Sequence, residues 1–367
     1  MSAEVFFTNL RTNQGQSQIS KLEQLVTQAG LLNCIKPKDL VALKLHFGER
    51  GNLAYVQPQY VRRIVEQVKK REGRPFLTDA NTLYVGSRAN AVDHLETAIE
   101  NGFDYSVVAA PLVIADGLNG KDYVSVPVNL KHFQEVKIGS AAVHADVLLA
   151  ITHFKGHEAT GFGGTLKNLG MGSGSRSGKQ QQHSDILPTI KLEKCLGCGK
   201  CRQWCPADAI DLDGKAQINE NVCIGCGECT VTCPQKAISI NWRTDQDVIQ
   251  EKIVEYTAGV LKGKQDKAGF ITFVTNVSPL CDCYGWNDAP IVGDLAILAS
   301  QDPIAIDQAA VDLVNQAPGN PHSELGSRCN EYDKFRVLYP GIDWNVQLEY
   351  GEKIGLGNRT YKLIEVK

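Results

Sequence analysis

The sequence predicts an α/β protein, a mainly parallel sheet with helices on both faces, interrupted by a short α+β insert dense in cysteine. Two observations carry this expectation. On either side of residues 191–242, apolar β-rich runs alternate with amphipathic helical segments, the pattern of a sheet covered by crossover helices. Between Cys195 and Cys233 lie eight of the twelve cysteines of the 367-residue chain.

The elements follow in chain order. "VALKLHF" (41–47), "VVAAPLVIAD" (107–116) and "ADVLLAIT" (145–152) read as strands. In "PQYVRRIVEQVKKREG" the residues Tyr60, Val61, Ile64, Val65 and Val68 share one helical face, with Pro58 at the start and Gly73 as the stop. "SRANAVDHLETAIENG" reads as a helix capped by Ser87, turning Val92, Leu95 and Ile99 inward and closed by Gly102. Beyond residue 243, "AGFITFVTNVS" and "GDLAILAS" read as strands and "DPIAIDQAAVDLVNQ" as a helix opened by Asp302 and Pro303. These late strands are too few for a sheet of their own. They are expected to complete the amino-terminal sheet, giving a discontinuous α/β domain (1–190 and 243–367) around an insert at 191–242.

Composition narrows the function classes. A net charge of −3 with no long basic run gives no electrostatic reason for a nucleic-acid partner. The amino terminus shows no signal-peptide pattern, and no apolar run approaches bilayer-spanning length, so a cytoplasmic protein without a membrane partner is expected. Cysteines at metal-binding spacing agree with a reducing compartment better than disulfides would.

Residues 195–206 read "CLGCGKCRQWCP" and residues 223–234 read "CIGCGECTVTCP", both fitting C-x2-C-x2-C-x3-C-P. Corresponding cysteines lie 28 residues apart, as do Ile210 and Ile238, so the block is an internal duplication. Three thiolates on one tight loop hold three irons of a cubane, and glycines between them let backbone amides approach the sulfurs. In two-cluster ferredoxins the fourth thiolate comes from the other half. That pairs Cys195, Cys198 and Cys201 with Cys233, and Cys223, Cys226 and Cys229 with Cys205. Zinc sites are the alternative, but these join two C-x2-C pairs across a longer loop and have no need of this motif twice. The block resembles a bacterial-type ferredoxin with two [4Fe-4S] clusters.

The run before it, "THFKGHEATGFGGTLKNLGMGSGSRSGK", is no Walker loop, because Ser173 stands five before Gly178 and Gln180 follows Lys179. Residues 172–185 read equally as a solvated connector or as an anion nest helped by Lys167, Arg176 and Lys179. The earlier half differs. "THFKGHE", "HFGERGN" and "DANTLY" each follow a predicted strand, and in an open α/β sheet such carboxyl ends share one ligand-binding edge. His46, Glu49, Asp79, Asn81, His153, Lys155 and His157 are therefore expected at one crevice. His46, His153, Lys155 and His157 are the candidates for chemistry; Glu49, Asp79, Asn81, Gly163, Gly164, Lys167 and Asn168 are the candidates for holding a ligand. The histidines suit either a metal or, preferably, an acidic substrate or phosphate-bearing cofactor such as a flavin. "CDC" (281–283) offers a redox or substrate-facing thiol, poorly placed for a mutual disulfide, with packed structural thiols as the alternative. Asp302 and Asp307 are expected to cap and solvate their own helix; Asp294 and Asp302 flank a strand end and are further candidates to line the same crevice.

Taken together, "LKLHFGERGN", "TDANTLYVGSRANAVDHL", "THFKGHEATGFGGTLKNLGMG", the paired cysteine motifs and "GDLAILASQDPIAIDQAAVDL" resemble the family known as domain of unknown function 362, in its ferredoxin-bearing branch. The resemblance spans roughly residues 3–315 and implies an iron–sulfur protein of an anaerobe or a strictly reducing cytoplasm. It brings no activity with it. From the residues, the expected function is electron transfer, with two [4Fe-4S] clusters exchanging single electrons with a ligand in the crevice and a redox partner protein or small-molecule acceptor beyond it. Two other readings stay open: a dedicated carrier subunit docking a partner oxidoreductase, and a non-redox metal-dependent enzyme with structural clusters.

Overall fold

The structure, a computed structural model, describes residues 2–83, 86–183, 188–205, 207–223, 228–239 and 245–366. Eight strands form the central sheet: β1 (Ala3–Asn9), β2 (Leu40–Lys44), β3 (Arg74–Asp79), β4 (Leu112–Ile114), β5 (Val147–His153), β6 (Ala268–Val274), β7 (Ala296–Ser300) and β8 (Tyr361–Glu365). Their order across the sheet is β8-β1-β7-β6-β5-β2-β3-β4. Only β7 runs against its neighbours, antiparallel to both β1 and β6; every other pairing is parallel. The sheet is thus mainly parallel, and strands from both sides of the cysteine block lie side by side in it, β6 pairing with β5 from Ala268↔Leu148 to Phe273↔His153.

Side-chain alternation divides the interior into two cores. On one face Val41, Leu43, Leu149, Ile151, Ile271 and Ile297 pack on the Gln18–Gln28 and Pro58–Lys70 helices. On the other, Ala42, Leu148, Ala150, Phe270 and Leu298 pack beneath the Thr165–Ser173, Gln246–Leu261 and Pro303–Gln316 helices. Strands buried on both faces read as continuous apolar runs, which is why they were legible. At full burial each Leu or Ile contributes about 1.5–3 kcal/mol.

Several local expectations are corrected. Of 107–116 only Leu112–Ile114 is strand; Tyr105–Val108 is a helical turn, because Asp104 caps it through the Ser106 amide and Ala109 ends it in the left-handed region. The Ala91–Glu100 helix is capped by Asn90, not Ser87. It buries His94, Thr97 and Ala98, while Val92 and Ile99 are 54% and 51% exposed. The helix turns His94 inward instead, edge-on to Phe47 and 3.8 Å from Asp79. Residues 172–185 are no solvated connector where described, since Arg176–His183 is a buried helix. Asp307 does not cap its own helix. Its carboxylate accepts from the Thr165 and Leu166 amides, 2.7 and 2.9 Å away, and so caps the neighbouring one.

The Thr165–Ser173 and Gln246–Leu261 helices approach so closely that a Cβ on Gly170 would sit 2.1 Å from the Ile253 carbonyl oxygen. Backbone cannot yield as a flexible side chain can. Gly170→Ala should therefore destabilise the protein by about 1–3 kcal/mol, whereas Gly293→Ala, where nothing lies within 4 Å, should leave the thermal unfolding midpoint nearly unchanged.

Candidate functional site

Chain order along the sheet locates the site. From β2 the chain moves outward through β3 and β4, then returns to lay β5 on the other side of β2, with β6 beyond it. The junction of β2 and β5 is a topological switch point, and the crevice outside the carboxyl ends of such strands is where open α/β sheets bind ligands. The last residues there are Lys44 on β2, Asp79 on β3 and His153 on β5.

Lys44 is buried and paired: Nζ lies 3.0 Å from Asp79 Oδ1 and donates to Asn168 Oδ1 at 2.8 Å. Burial works against the Asp79 carboxylate, but Lys44, His46, His94 and Arg88 overcome it and hold its pKa well below the usual range. Asn168 in turn donates to the Ile151 carbonyl and the Thr152 hydroxyl, at 3.2 and 3.0 Å, so it joins the two strand ends. Glu49 faces Arg88 (3.1 Å) and accepts from the Ser87 amide (2.8 Å). Asn81 donates to Asp116 Oδ1 and the Gly117 carbonyl. Glu49, Asp79 and Asn81 thus build the wall of the crevice through internal contacts.

After β5 the chain folds into a ribbon, Lys155–His157 against Gly161–Gly163, covered by the 275–284 loop. Gly156 permits that cover, because a Cβ there would lie 2.1 Å from the Pro279 carbonyl oxygen. His153 Nδ1 meets Asp282 Oδ1 at 2.8 Å, and Nε2 lies 3.0 and 3.2 Å from the Thr275 and Asn276 carbonyls. Both ring nitrogens are engaged, so His153 braces the loop. Lys155 Nζ lies 2.9 Å from the other oxygen of Asp282 and donates to the His153 carbonyl. His157 Nδ1 lies 2.9 Å from the Thr160 hydroxyl, and burial and then Lys167 hold the ring well below its ordinary pKa, hence neutral. His46 Nδ1 accepts from the Gly48 amide at 2.9 Å, and Nε2 lies 3.5 Å from Cys283 Sγ.

The sequence reading undervalued the "CDC" stretch. Lys167 Nζ lies 3.2 Å from Cys281 Sγ. Gly163 keeps space between two ammonium stems, since a Cβ there would lie 3.2 Å from Lys167 Cδ and 3.4 Å from Lys155 Cε. The hydrogen bond from Cys281 leads in lowering the Cys283 thiol well below the ordinary range; Lys167 and His46 assist against burial. The same hydrogen bond, with burial, pushes Cys281 well above it. Asp282, Lys44, Arg88 and His183 were not singled out, and for the first three burial is the signal that distinguishes them. His183 is lowered to about 4 by burial and then by Lys167. Asp294 is exposed and accepts from the Asn276 amide, and Asp302 caps the Pro303–Gln316 helix and bonds Asn358, so neither belongs to the crevice.

Within the cysteine block the 28-residue repeat is structural. Ile190 and Thr189 pair with Ile238 and Ser239, and 28 residues on, Ile218 and Gln217 pair with Ile210 and Asp211. The short helices Lys200–Gln203 and Glu228–Thr232 hold corresponding places. Cys195, Cys198, Cys201 and Cys233 line one small cavity together with Ala216, Ala237 and Ile238. Cys195 Sγ accepts from the Gly197 and Ala216 amides at 3.5 Å. Cys205 and Cys233 each accept at 3.3 Å from the amide four residues on, Ala209 and Ala237. Each described cysteine is a free thiol. Among the described residues no three or more His, Cys, Asp or Glu side chains already stand in metal-ligand geometry. Cys223 and Cys229 are described, whereas Cys226 lies outside the described residues.

Lys179, buried behind the crevice, donates to the Gly174 carbonyl at 2.6 Å, and burial lowers its ammonium to about 8 from 10.5. The unfolded chain holds that proton up to about pH 10.5, so from about pH 8 upward it binds more protons than the folded one and stability rises with pH. Lys179→Met should abolish that rise, measured by urea unfolding across the same pH window.

Among the described residues no helix is long and apolar enough to cross a membrane. Solved structures similar to this chain include the lactate racemase apoprotein from Thermoanaerobacterium thermosaccharolyticum, 14% identical with a TM-score of 0.35 over 82% of this chain and 54% of that one. Another is a protein from Thermotoga maritima, 11% identical with a TM-score of 0.37 over 80% and 57%. The chain spans little more than half the length of either. No curated protein matches it. A family match runs from residue 41 to residue 312, most of the sheet and the whole crevice, and the chain accordingly belongs to the family described as domain of unknown function (DUF362).

Proposed function

We propose that this chain is an iron–sulfur electron-transfer protein, with a two-cluster ferredoxin-like unit at 191–242 serving a ligand at the strand-end crevice. The observation that carries the reading is the lining of one cavity by Cys195, Cys198 and Cys201 of the first motif and Cys233 of the second. That is the crossed set expected when the fourth thiolate comes from the other half. Thiolate donors, small neighbours at Ala216 and Ala237, and backbone N–H groups already aimed at Cys195, Cys205 and Cys233 suit a negatively charged sulfide cluster. Cys223, Cys226 and Cys229 with Cys205 would hold the second. When bound, such clusters supply one-electron transfer at a potential tuned by those N–H···S bonds.

Contact between the two parts supports a common purpose. Trp204, next to Cys205, stacks under Lys121 Nζ at 4.7 Å. Lys121 follows Gly120, which packs so tightly on Arg176 that a Cβ would lie 2.3 Å from its Cγ. The insert thereby abuts the loop and helix that back the crevice. The crevice itself favours an anionic ligand, because Lys155 and Lys167 converge across Gly163 while His157 stays neutral. A flavin or another phosphate-bearing cofactor, or an acidic small-molecule acceptor, meets that chemistry, with a redox partner protein at the exposed side of the insert.

Anaerobic purification should yield about eight irons and eight acid-labile sulfides per chain. Cys233→Ala should remove at least half of the iron while far-UV circular dichroism of the α/β part persists. Zinc in place of iron, or unchanged iron in Cys233→Ala, would refute the reading.

A further inference from the structure

The crevice contains a second chemical group that a cluster-based function does not require. Cys281 and Cys283 stand in one turn, closed by the Tyr284 amide donating to the Cys281 carbonyl at 3.1 Å. Alpha carbons two residues apart lie about 5–7 Å from each other, overlapping the span a disulfide needs. Each thiol acts directly on the other's titration and Lys167 acts on both, so the turn has brought near one another thiols that the bare spacing seemed to keep apart. Their surroundings differ. Cys281 is buried, 2% exposed, and receives the Lys167 ammonium at 3.2 Å. Cys283 is only partly buried and has His46 Nε2 at 3.5 Å. Facing the pair from other elements are Lys155, His157 and His183, with Asp282 turned away onto His153 and Lys155.

We propose that Cys283 and Cys281 form a dithiol–disulfide couple, Cys283 the attacking thiol and Cys281 the resolving one, with a disulfide as the oxidising substrate. The asymmetry of exposure assigns the roles. The accessible sulfur, activated by an imidazole on one side and a buried ammonium nearby, has the setting of a nucleophilic thiolate. Its low pKa accords with this. The Cys283 thiolate attacks one sulfur of the substrate; the S–S bond breaks, a mixed disulfide forms and one thiolate leaves. That thiolate takes the Cys281 proton. The resulting Cys281 thiolate, held against Lys167, attacks Cys283 Sγ and expels the second thiolate. In sum the protein dithiol loses two electrons and one proton, and the substrate disulfide becomes one thiol and one thiolate. His46 acts as a positioning residue for Cys283, and Lys167 for Cys281.

The test uses the full chain under anaerobic conditions, equilibrated in mixtures of oxidised and reduced dithiothreitol, acid-quenched, alkylated with iodoacetamide and digested. The peptide carrying residues 281–283 should pass from two labels to none in one two-electron transition, ending lighter by two hydrogens than its dithiol form. Cys34 and Cys329 should stay labelled throughout. With oxidised glutathione, Cys281→Ser should accumulate a mixed disulfide on Cys283, and Cys283→Ser should form none on Cys281. Two labels retained across the whole range, or glutathione on Cys281 in preference to Cys283, would overturn the proposal. Iron measured on the same samples reports the cluster reading separately, since loss of iron leaves the label count at this peptide unmoved.

Discussion

One buried carboxylate ties the crevice together. Asp282 is fully buried, meets His153 on β5 through one oxygen and Lys155 in the next ribbon through the other, and its backbone carbonyl accepts from the Glu49 amide beyond β2. Three chain segments distant in sequence are thereby fixed at the switch point. Such a group is costly to bury alone, and removing one partner of a buried pair commonly costs about 3–5 kcal/mol because the remaining charge is left uncompensated. Here His153, Lys155 and the more distant His46 overcome the burial penalty and keep the carboxyl far below its ordinary range. The brace also gives His153, one of the four residues the sequence offered for chemistry, a structural part.

Charge balance around that brace explains the thiol pair. Lys44, Arg88, Lys155, Lys167 and Lys179 are each at most 9% exposed, and the buried acids near them are Glu49, Asp79, Asp116 and Asp282. Arg88 lies within ion-pair distance of both Glu49 and Asp79, Lys44 pairs with Asp79 and Lys155 with Asp282. Lys167, still protonated, finds its nearest negative partner in sulfur. A thiolate in the Cys281–Cys283 pair costs less here than a neutral pair beside an unbalanced buried ammonium.

The sequence yielded the sheet and the cysteine repeat because both rest on short-range patterns: continuous apolar runs at β2, β5 and β6, and a fixed spacing repeated at 28 residues. It also put His46, Asp79 and His153 at one edge, since the carboxyl ends of parallel strands must gather there. It could not yield what depends on partners far away in the chain. Val92 and Ile99 turned outward while His94 turned inward beside Phe47, and Asp307 turned to a neighbouring helix, 142 residues from Thr165. Lys44 and Asp282 lie inside quoted stretches, yet nothing in the spacing singled them out. Their meaning comes from burial, and burial is a property of the assembled fold.

The insert's geometry bears on why it sits where it does. Thr189–Ile190 pairs with Ile238–Ser239, so the chain enters and leaves the cysteine block at one two-stranded ribbon. An excursion whose ends meet adds little strain to the sheet it interrupts, and closing a longer loop costs only about 0.6 kcal/mol per doubling of length. The block itself has a core of Cys201, Ile210, Ala216, Cys229 and Ile238, with other cysteines packed around it. Five small or medium side chains cannot offset the ordering of some fifty residues, and units of that size are usually stapled by metal or disulfide. On the proposed reading metal ligation supplies that staple, since every described cysteine is a free thiol. On that reading the residues that would hold the clusters also let the insert fold, and loss of metal should be felt there before it is felt in the sheet.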